Sequence, residues 1–320
     1  MVIDVVGAGS LGLLYGGKLQ AAGNAVRLWT RTSEQAEELR LHGLTITEQG
    51  EKTKLLPEHV EAYPITELSA RWHHQPGDWL FLMVKQTSID DVIHNMETMK
   101  EYIINIVCFQ NGMGHIEKLQ AALPLSRVYR AVTTEGAKRA ENGVIRAGEG
   151  QTWFGRDVHT RAIEEDTTAN LQDLSLQARL QQAGFNCTAS NQIDKLIYRK
   201  LLINAVINPL TAIWRIPNGE LLQNDYRVKV MRHLYDEAVA IYKANEIMLD
   251  IDMWEEILSV CRSTASNTSS MLADVVQGRR TEVESISGQM VRMAHRCGLT
   301  APQHELMLYL IEGIRPEGVS

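Results

Sequence analysis

Short apolar runs alternate with amphipathic segments through the first part of the chain. Residues 2–6, 25–29, 79–84 and 103–109 are rich in aliphatic, β-branched or aromatic side chains and have the length of strands buried on both faces. Residues 11–22, 33–42 and 88–102 have helical spacing, and Gly23 and Gly43 stand where helices commonly end. This alternation predicts a mainly parallel sheet with helical connections.

The pattern changes further along the chain. Residues 127–155 form short extended runs, which predict antiparallel hairpins on one side of that sheet, and a helix at 169–183 with a strand around Cys187 completes the domain. Beyond about Gln192 the periodicity is almost entirely helical, with breaks at 217–219 and 298–302. We therefore predict an α/β sheet domain over residues 1–191 and an all-helical domain over residues 192–320.

Composition and charge agree with two soluble domains. The 320 residues are 44% hydrophobic and 22% charged, and the net charge of −7 disfavours binding to nucleic acid or anionic lipid. The chain enters its first apolar run without a basic leader, and we expect no segment to approach the length of a membrane span. These features predict a cytoplasmic protein without nucleic-acid or membrane partners. A homodimer is one arrangement left open.

The cysteines predict neither a metal site nor a disulfide framework. They are far apart and form no C-x-x-C pair, so we expect buried thiols at Cys108, Cys187, Cys261 and Cys297. The adjacent residues His73 and His74 would point apart on a strand or helix, and we expect both on the surface. No metal is therefore expected.

A glycine-rich loop lies between the first predicted strand and the first predicted helix. Its sequence is Gly7-Ala8-Gly9-Ser10-Leu11-Gly12, in the position of the dinucleotide fingerprint. Gly7 permits a tight turn, Gly9 allows a pyrophosphate to approach the backbone, and Gly12 lets helix and strand pack closely. The loop predicts a Rossmann-type domain that binds a nicotinamide dinucleotide. The alternative is a glycine-rich turn without a ligand.

Residues at the ends of the other predicted strands refine the cofactor. The second strand ends without the carboxylate typical of NAD-binding sites and is followed by Arg31, whose guanidinium suits a 2′-phosphate. NADPH is therefore the favoured cofactor, although Arg31 as a solvated loop residue stays open. Lys85 and Asn111 follow two further strands at the edge where open α/β sheets bind ligands, and ordinary loop positions would also explain them.

A polar stripe interrupts the most apolar helix of the second domain. Lys200, Asn204 and Asn208 recur every four residues among Leu, Ile, Val and Ala, so they share one face. Buried polar groups are costly unless they are paired, which favours a face turned to a cleft or ligand over a solvated face. Pro209 is expected to disfavour helical geometry at Asn208 and to kink the helix.

The same segment resembles the signature of ketopantoate reductases (2-dehydropantoate 2-reductases). The resemblance is carried by residues 204–213 and 217–221, by the glycine-rich loop, by residues 111–114, and by Ser269-Ser270-Met271-Leu272 with Thr281-Glu282. These blocks follow the order and similar separations of the family, from residue 2 to about 310. The resemblance implies NADPH-dependent reduction of a small 2-keto acid, ketopantoate, to pantoate in pantothenate synthesis.

The resemblance also implies residue roles. Lys200 occupies the position of the proton donor, and Glu282 that of an acid bordering cofactor and substrate. The implied substrate-binding residues are Asn111, Asn204, Asn208, Asn218 and Ser270, and the implied cofactor-binding residues are the glycine-rich loop, Arg31, Lys85, Asn111, Ala137 and Glu282. At Ala137 the sequence departs from the family pattern.

Chemistry is consistent with these roles. Hydride delivered to a ketone leaves negative charge on oxygen, and a lysine ammonium can supply the proton. We expect the site in the cleft between the two domains. Three alternatives stay open: Glu282 as a surface carboxylate paired with Arg279 or Arg280, a reductase of another branched 2-keto acid, and a non-catalytic NADPH-sensing protein.

Overall fold

The computed structural model describes residues 1–141, 143–157, 167–249 and 252–314. The chain divides into two compact units. The first unit comprises residues 1–110 and 115–193, and the second comprises residues 111–114 and 194–320. The four residues Asn111–Gly114 thus leave the first unit along the chain and belong to the second.

The described part of the first unit contains twelve strands and six helices. The strands are β1 Val2–Val6, β2 Ala25–Thr30, β3 Leu44–Glu48, β4 Glu51–Leu55, β5 Glu61–Pro64, β6 Trp79–Leu82, β7 Asn105–Cys108, β8 Arg127–Thr133, β9 Gly136–Ala140, β10 Gly143–Gly148, β11 Gln151–Arg156 and β12 Asn186–Ala189. The helices are α1 Ser10–Ala21, α2 Ser33–His42, α3 Leu68–His74, α4 Ile89–Met96, α5 His115–Ala122 and α6 Thr167–Gln182.

A mainly parallel sheet forms the centre of this unit. Its order among the described strands is β12-β11-β8-β7-β6-β1-β2-β5, and only the β8 and β11 pairing is antiparallel. Apolar side chains cover both faces, with Tyr15 and Phe81 in one cluster and Trp72 and Leu80 in another. This sheet confirms the predicted α/β class. The prediction was possible because strands that are buried on both faces appear in the sequence as continuous apolar runs.

The strands after residue 127 match the predicted antiparallel hairpins only in part. Strand β8 pairs in parallel with β7 and joins the main sheet. Strands β9 and β10 do form a hairpin, but they belong to a small second sheet of order β4-β3-β10-β9. The hairpin of β3 and β4, and edge strand β5, were not predicted because their short, half-exposed sequences lack a continuous apolar run.

A buried charge cluster joins strands β1 and β2 away from the glycine-rich loop. The carboxylate of Asp4 accepts from Arg27 Nε and Nη2 at 2.8 and 2.7 Å and from Trp29 Nε1 at 2.7 Å. Arg27 Nη1 also donates to the carbonyl of Gln75 at 2.7 Å. The guanidinium of Arg27 is thus committed to structure, which leaves Arg31 as the arginine of this segment that faces solvent.

The described part of the second unit is helical. Its helices are α7 Ile193–Trp214, α8 Asp225–Ala244, α9 Met253–Ser263, α10 Ser270–Val276, α11 Val283–Arg296 and α12 Pro302–Glu312, with a 3-10 turn at Asn218–Gln223. Leu202, Val206, Met231, Ile257 and Met290 are among the side chains that form its core. This confirms the predicted helical C-terminal region.

Helix α7 corrects two expectations. It stays helical through Asn208 and Pro209, contrary to the expected loss of helical geometry at Asn208. Thr211 Oγ1 donates to the carbonyls of Ile207 and Asn208, at 3.0 and 2.9 Å, in the same turn. Of the described helices, α7 also satisfies the length and hydropathy of a membrane span, contrary to the prediction, although 56% of that stretch is buried within the protein. A buried core helix passes the same test.

The thiols match the predicted burial at three of four positions. Cys108, Cys187 and Cys261 are buried, whereas Cys297 is exposed just after the last residue of α11. The expectation of burial at Cys297 was wrong because the helix end places it at the surface. His73 and His74 are exposed, as predicted.

Candidate active site

The glycine-rich loop has the geometry that a dinucleotide site requires. Gly7 has a φ of 109°, and a Cβ there would lie 2.7 Å from the backbone nitrogen of Val84. A Cβ on Gly12 would lie 1.8 Å from the carbonyl oxygen of Gly7, so helix α1 can begin this close to β1 only with glycine. A Cβ on Gly9 would meet nothing within 4 Å, and this residue is exposed. The loop therefore leaves open the position where a phosphate would approach the backbone, and its residues fit a dinucleotide.

The other cofactor candidates of the first unit lie near the same sheet edge. Arg31 directly follows β2 and is exposed, and Lys85 follows β6 and is partly buried. Because β6, β1 and β2 are parallel neighbours, their carboxyl ends meet at one edge. Ala137 lies instead on β9 of the small sheet, where its register partner is Arg146.

In the second unit, three predicted residues from distant parts of the sequence come together. Asn111 Nδ2 donates to Glu282 Oε2 at 3.2 Å across 171 positions of sequence. The charge of Glu282 also acts on the ammonium of Lys200 on α7. An amide, a carboxylate and an ammonium therefore belong to one polar group, and Glu282 is only 9% exposed.

Gly112 allows Asn111 to reach this position. Its φ is 79°, and a Cβ at residue 112 would lie 2.2 Å from the carbonyl oxygen of Ser285 in the first turn of α11. Only a glycine lets this loop lie so close to the helix that Glu282 precedes. The glycine after Asn111 is thus the sequence signal for the contact.

Two opposing effects set the protonation of Lys200. Burial among apolar side chains of α7 lowers its pKa, and the carboxylate of Glu282 raises it, with a result of about 8. An ammonium with this pKa is mostly charged at neutral pH yet gives up its proton more readily than an exposed lysine. Such a group is suited to act as a general acid.

The surface interpretation of Glu282 is wrong. Arg279 donates through Nε and Nη2 to Asp274 Oδ1 at 3.0 and 2.9 Å, so this arginine has a different carboxylate partner. Arg280 is exposed while Glu282 is buried. The carboxylate therefore faces the polar group of Asn111 and Lys200 rather than the helix surface.

Asn204 and Asn208 share the face of Lys200, because α7 is continuous over all three residues. Asn204 is partly buried and Asn208 is 6% exposed. Thr211, one turn further on, pairs its hydroxyl with Ser269 Oγ at 2.7 Å. Ser269 is also the N-cap of α10, where it accepts from Leu272 N at 3.1 Å.

Ser270 and Asn218 lie on other elements of the second unit. Ser270 is exposed as the first residue of α10. Asn218 is buried after Pro217, where its backbone N–H donates to the carbonyl of Asn267 at 3.0 Å. A hydrogen bond thus joins Asn111 to Glu282, and Lys200 interacts electrostatically with the same carboxylate, whereas Ser270 and Asn218 lie on two other elements of the helical unit.

Sequence patterns gave no indication of the residue that orients Asn218. Thr264 Oγ1 donates its only hydrogen to the carbonyl of Val260 at 2.6 Å, so it can only accept from Asn218 Nδ2, at 2.9 Å. The Asn218 amide is therefore fixed with Oδ1 as the remaining acceptor, and this buried atom has no hydrogen-bond partner in the described ranges. A threonine next to a helix end carries no pattern that would reveal this role.

Comparison with known proteins identifies the family. The family model "Ketopantoate reductase PanE/ApbA" matches residues 3–158, and the model of its C-terminal region matches residues 192–315. The 2-dehydropantoate 2-reductase of Archaeoglobus fulgidus is 32% identical over 314 residues, which cover 98% of this chain and 97% of the relative. The chain belongs to the ketopantoate reductase family. It is accordingly an oxidoreductase, and the family implies a nicotinamide cofactor.

Solved structures show the same fold. A PanE/ApbA family ketopantoate reductase from Ralstonia eutropha has a TM-score of 0.83 at 23% identity, with 98% of each chain covered. D-mandelate dehydrogenase with NADH and anilino(oxo)acetate has a TM-score of 0.84 at 22% identity, again with 98% of each chain covered. Members of the ketopantoate reductase family thus share their fold with a dehydrogenase of another 2-hydroxy acid, so fold alone does not determine the substrate.

Proposed function

We propose that this protein reduces 2-dehydropantoate (ketopantoate) to pantoate with NADPH in pantothenate synthesis, and that Lys200 donates the proton. The observation that carries the proposal is the partly buried ammonium of Lys200 under the charge of Glu282, in a chain of the ketopantoate reductase family. Residues 1–191 would bind the nucleotide, and residues 192–320 would bind the keto acid. When bound, the reduced nicotinamide supplies the hydride.

The chain's own groups complete the reaction. As the C2 carbonyl becomes an alkoxide, the ammonium of Lys200 stabilises the developing charge and transfers one proton to the oxygen, which leaves a neutral amine. The amine regains its proton from solvent before the next turnover. Glu282 raises the pKa of this ammonium and so favours its charged form, and Asn111 donates to the same carboxylate.

The amides suit a substrate with both acceptors and a donor. A 2-keto acid offers carboxylate and ketone oxygens to the Nδ2 groups of Asn204 and Asn208 and to the hydroxyl of Ser270. Asn218 differs from these, because one N–H of its Nδ2 is bonded to Thr264 Oγ1 and its buried Oδ1 is an acceptor without a partner among the described residues. That acceptor favours a keto acid with a hydroxyl group, as in ketopantoate, over a branched 2-keto acid without one.

In the first unit, the residues that would hold NADPH are the glycine-rich loop, with Arg31, Lys85 and Ala137. Two observations support this assignment: the open space at Gly9, and the shared sheet edge at which β1, β2 and β6 end. Arg31 is exposed and offers a guanidinium to a 2′-phosphate. Arg27 offers none, because Asp4 holds it.

Replacement of Lys200 tests the proposal. In Lys200→Ala we expect kcat with ketopantoate to fall by about two to four orders of magnitude, the usual contribution of a positioned general acid, while NADPH binding persists. Lys195→Ala removes an exposed lysine from the same helix and should leave turnover unchanged. Rates would be followed by NADPH consumption. Near-normal activity of Lys200→Ala would remove Lys200 from the mechanism.

A substrate panel tests the alternatives. We expect ketopantoate to be reduced with a higher kcat/KM than the branched 2-keto acid of the same carbon skeleton that lacks the hydroxyl. The reverse order would favour the related reductase of another keto acid. Tight NADPH binding without turnover of any keto acid would favour a sensing protein.

A further inference from the structure

An arginine outside the predicted site contacts the glycine-rich loop. Arg139 lies on β9, and its Nη1 donates to the carbonyl oxygen of Ala8 at 2.6 Å. Ala8 stands between Gly7 and Gly9, so a guanidinium from the small sheet is bonded to the loop one residue from its open position. Arg139 is otherwise exposed, and this bond uses one of its five donors.

The carbonyl of Ala8 also accepts a hydrogen bond from the first turn of helix α2. Gln35 Nε2 donates to the oxygen of Ala8 at 2.8 Å, and Gln35 lies in the first turn of α2. The guanidinium of Arg139 is therefore held beside that first turn, since both donors meet at one oxygen. The N-cap of α2 is Thr32, which accepts from Gln35 N at 3.3 Å, and Arg31 immediately precedes it.

Two guanidinium groups thus border the start of α2 from different strands. Arg31 follows β2, and Arg139 reaches the loop from β9. Within the described ranges, neither of these exposed arginines has a carboxylate oxygen within 4.0 Å. Buried arginines of this unit, such as Arg27, Arg130 and Arg146, are instead paired with carboxylates. Exposed cations next to a nucleotide loop are available for an anion.

We propose that Arg139 and Arg31 together receive the 2′-phosphate of NADPH, and that Arg139 is a residue that determines cofactor specificity. The inference rests on the proposed use of NADPH. A phosphate monoester carries up to two negative charges near neutral pH, so one arginine neutralises it only in part. Arg139 offers its remaining N–H groups to the phosphate while its bond to Ala8 orients the guanidinium.

Direct binding of NADPH and NADH to the intact protein tests this role. Arg139→Gln removes the charge and keeps a side-chain N–H for the carbonyl of Ala8. We expect this variant to bind NADPH at least about tenfold more weakly, as the loss of one charge-assisted hydrogen bond predicts, while NADH binding stays unchanged. The affinity for NADPH should also depend less steeply on salt concentration, because one charge pair is lost.

The neighbouring lysine is a matched control. Lys138 is exposed on the same strand, and its side chain points to the opposite face of β9. Lys138→Gln changes the net charge equally and should leave the ratio of NADPH to NADH affinity as in the wild type. Arg139→Lys, which keeps the charge, should recover part of the preference for NADPH.

The outcomes separate this inference from the proposed function. Equal weakening of NADPH and NADH in Arg139→Gln would mean that Arg139 only supports the loop, and would overturn the inference while leaving ketopantoate reduction intact. A wild-type protein without preference for NADPH would contradict the proposed cofactor and, with it, the phosphate role of both arginines. Retained preference in Arg139→Gln would also overturn the inference.

Discussion

The glycine-rich loop and the polar group of Lys200, Glu282 and Asn111 differ in the atoms from which each is built. In the loop, the important atoms belong to the backbone, and six consecutive residues contain the whole arrangement. Around Lys200, the important atoms are side-chain groups from α7, from the loop at Asn111 and from the residue before α11. The first depends on the absence of side chains, and the second depends on three of them.

This difference decides how each region tolerates change. A methyl group added at Gly7 or Gly12 meets backbone atoms that cannot move without shifting a strand or α1, so steric effects at these two positions are all-or-none. At Lys200, opposing contributions from burial and from Glu282 determine the pKa, so a substitution shifts a balance. We therefore expect large losses of binding from the loop and graded shifts in chemistry from the helical unit.

The largest effect should follow the replacement of Gly12. Because the new Cβ would lie 1.8 Å from the carbonyl oxygen of Gly7, Gly12→Ala should displace the loop and weaken NADPH binding on the order of a thousandfold, ~4 kcal/mol. Calorimetric titration would measure the binding, and thermal unfolding would report the accompanying loss of stability.

Gly9→Ala serves as its matched control. A Cβ at this position meets nothing within 4 Å, so thermal stability should match that of the wild type. Its methyl group nevertheless points to the open side of the loop and should weaken the binding of NADPH. Unimpaired NADPH binding in Gly9→Ala would show that the dinucleotide does not approach the loop there.

A smaller and selective effect is expected at Arg31. Arg31→Ala should weaken the binding of NADPH by about tenfold to a hundredfold, which corresponds to the loss of a charge-assisted hydrogen bond. The binding of NADH should be affected far less. Arg40→Ala removes an exposed arginine from the last turn of α2, the helix that follows Arg31, and should change neither affinity. Equal losses for both cofactors in Arg31→Ala would refute its role at the phosphate.

The sequence predicted the loop better than the rest of the nucleotide region. Gly7, Gly9 and Gly12 act through sterics that depend on spacing alone, so the pattern suffices. Arg139 was not predicted, because β9 reaches the loop only through the small sheet, whose pairing of β3 with β10 joins residues about a hundred positions apart. Such long-range pairing leaves no local signal.

In the helical unit, periodicity predicted the stripe on α7 but not its partners. The spacing of Lys200, Asn204 and Asn208 follows from the helical repeat, and the structure has that helix. The contact between Asn111 and Glu282 is a tertiary contact, and only the resemblance to a family placed both residues near one site. The helical geometry of Asn208 could not be predicted, because the local preference of a residue before proline is against it and tertiary packing can override that preference.

The graded response of the second region appears in the dependence on pH. Lys200 donates a proton only while charged, and its pKa is about 8, so kcat for reduction should be constant well below that pH. Above it, kcat should decline by about tenfold per pH unit as the ammonium is lost. Activity that is constant to well above pH 8 would place the proton donor elsewhere.

Replacing Glu282 sharpens this test, because its carboxylate raises the pKa of Lys200 while burial lowers that pKa. Glu282→Gln keeps an acceptor for Asn111 Nδ2 and removes the negative charge that raises the pKa of Lys200. The midpoint of the kcat profile should therefore move to lower pH, and the loss of rate should be greater at pH 8 than at pH 6. Glu284→Gln makes the same charge change at an exposed residue of α11, and its profile should match the wild type. A midpoint that stays in place or rises in Glu282→Gln would show that this carboxylate does not control the ammonium, and the pH dependence would then reflect burial of Lys200 alone.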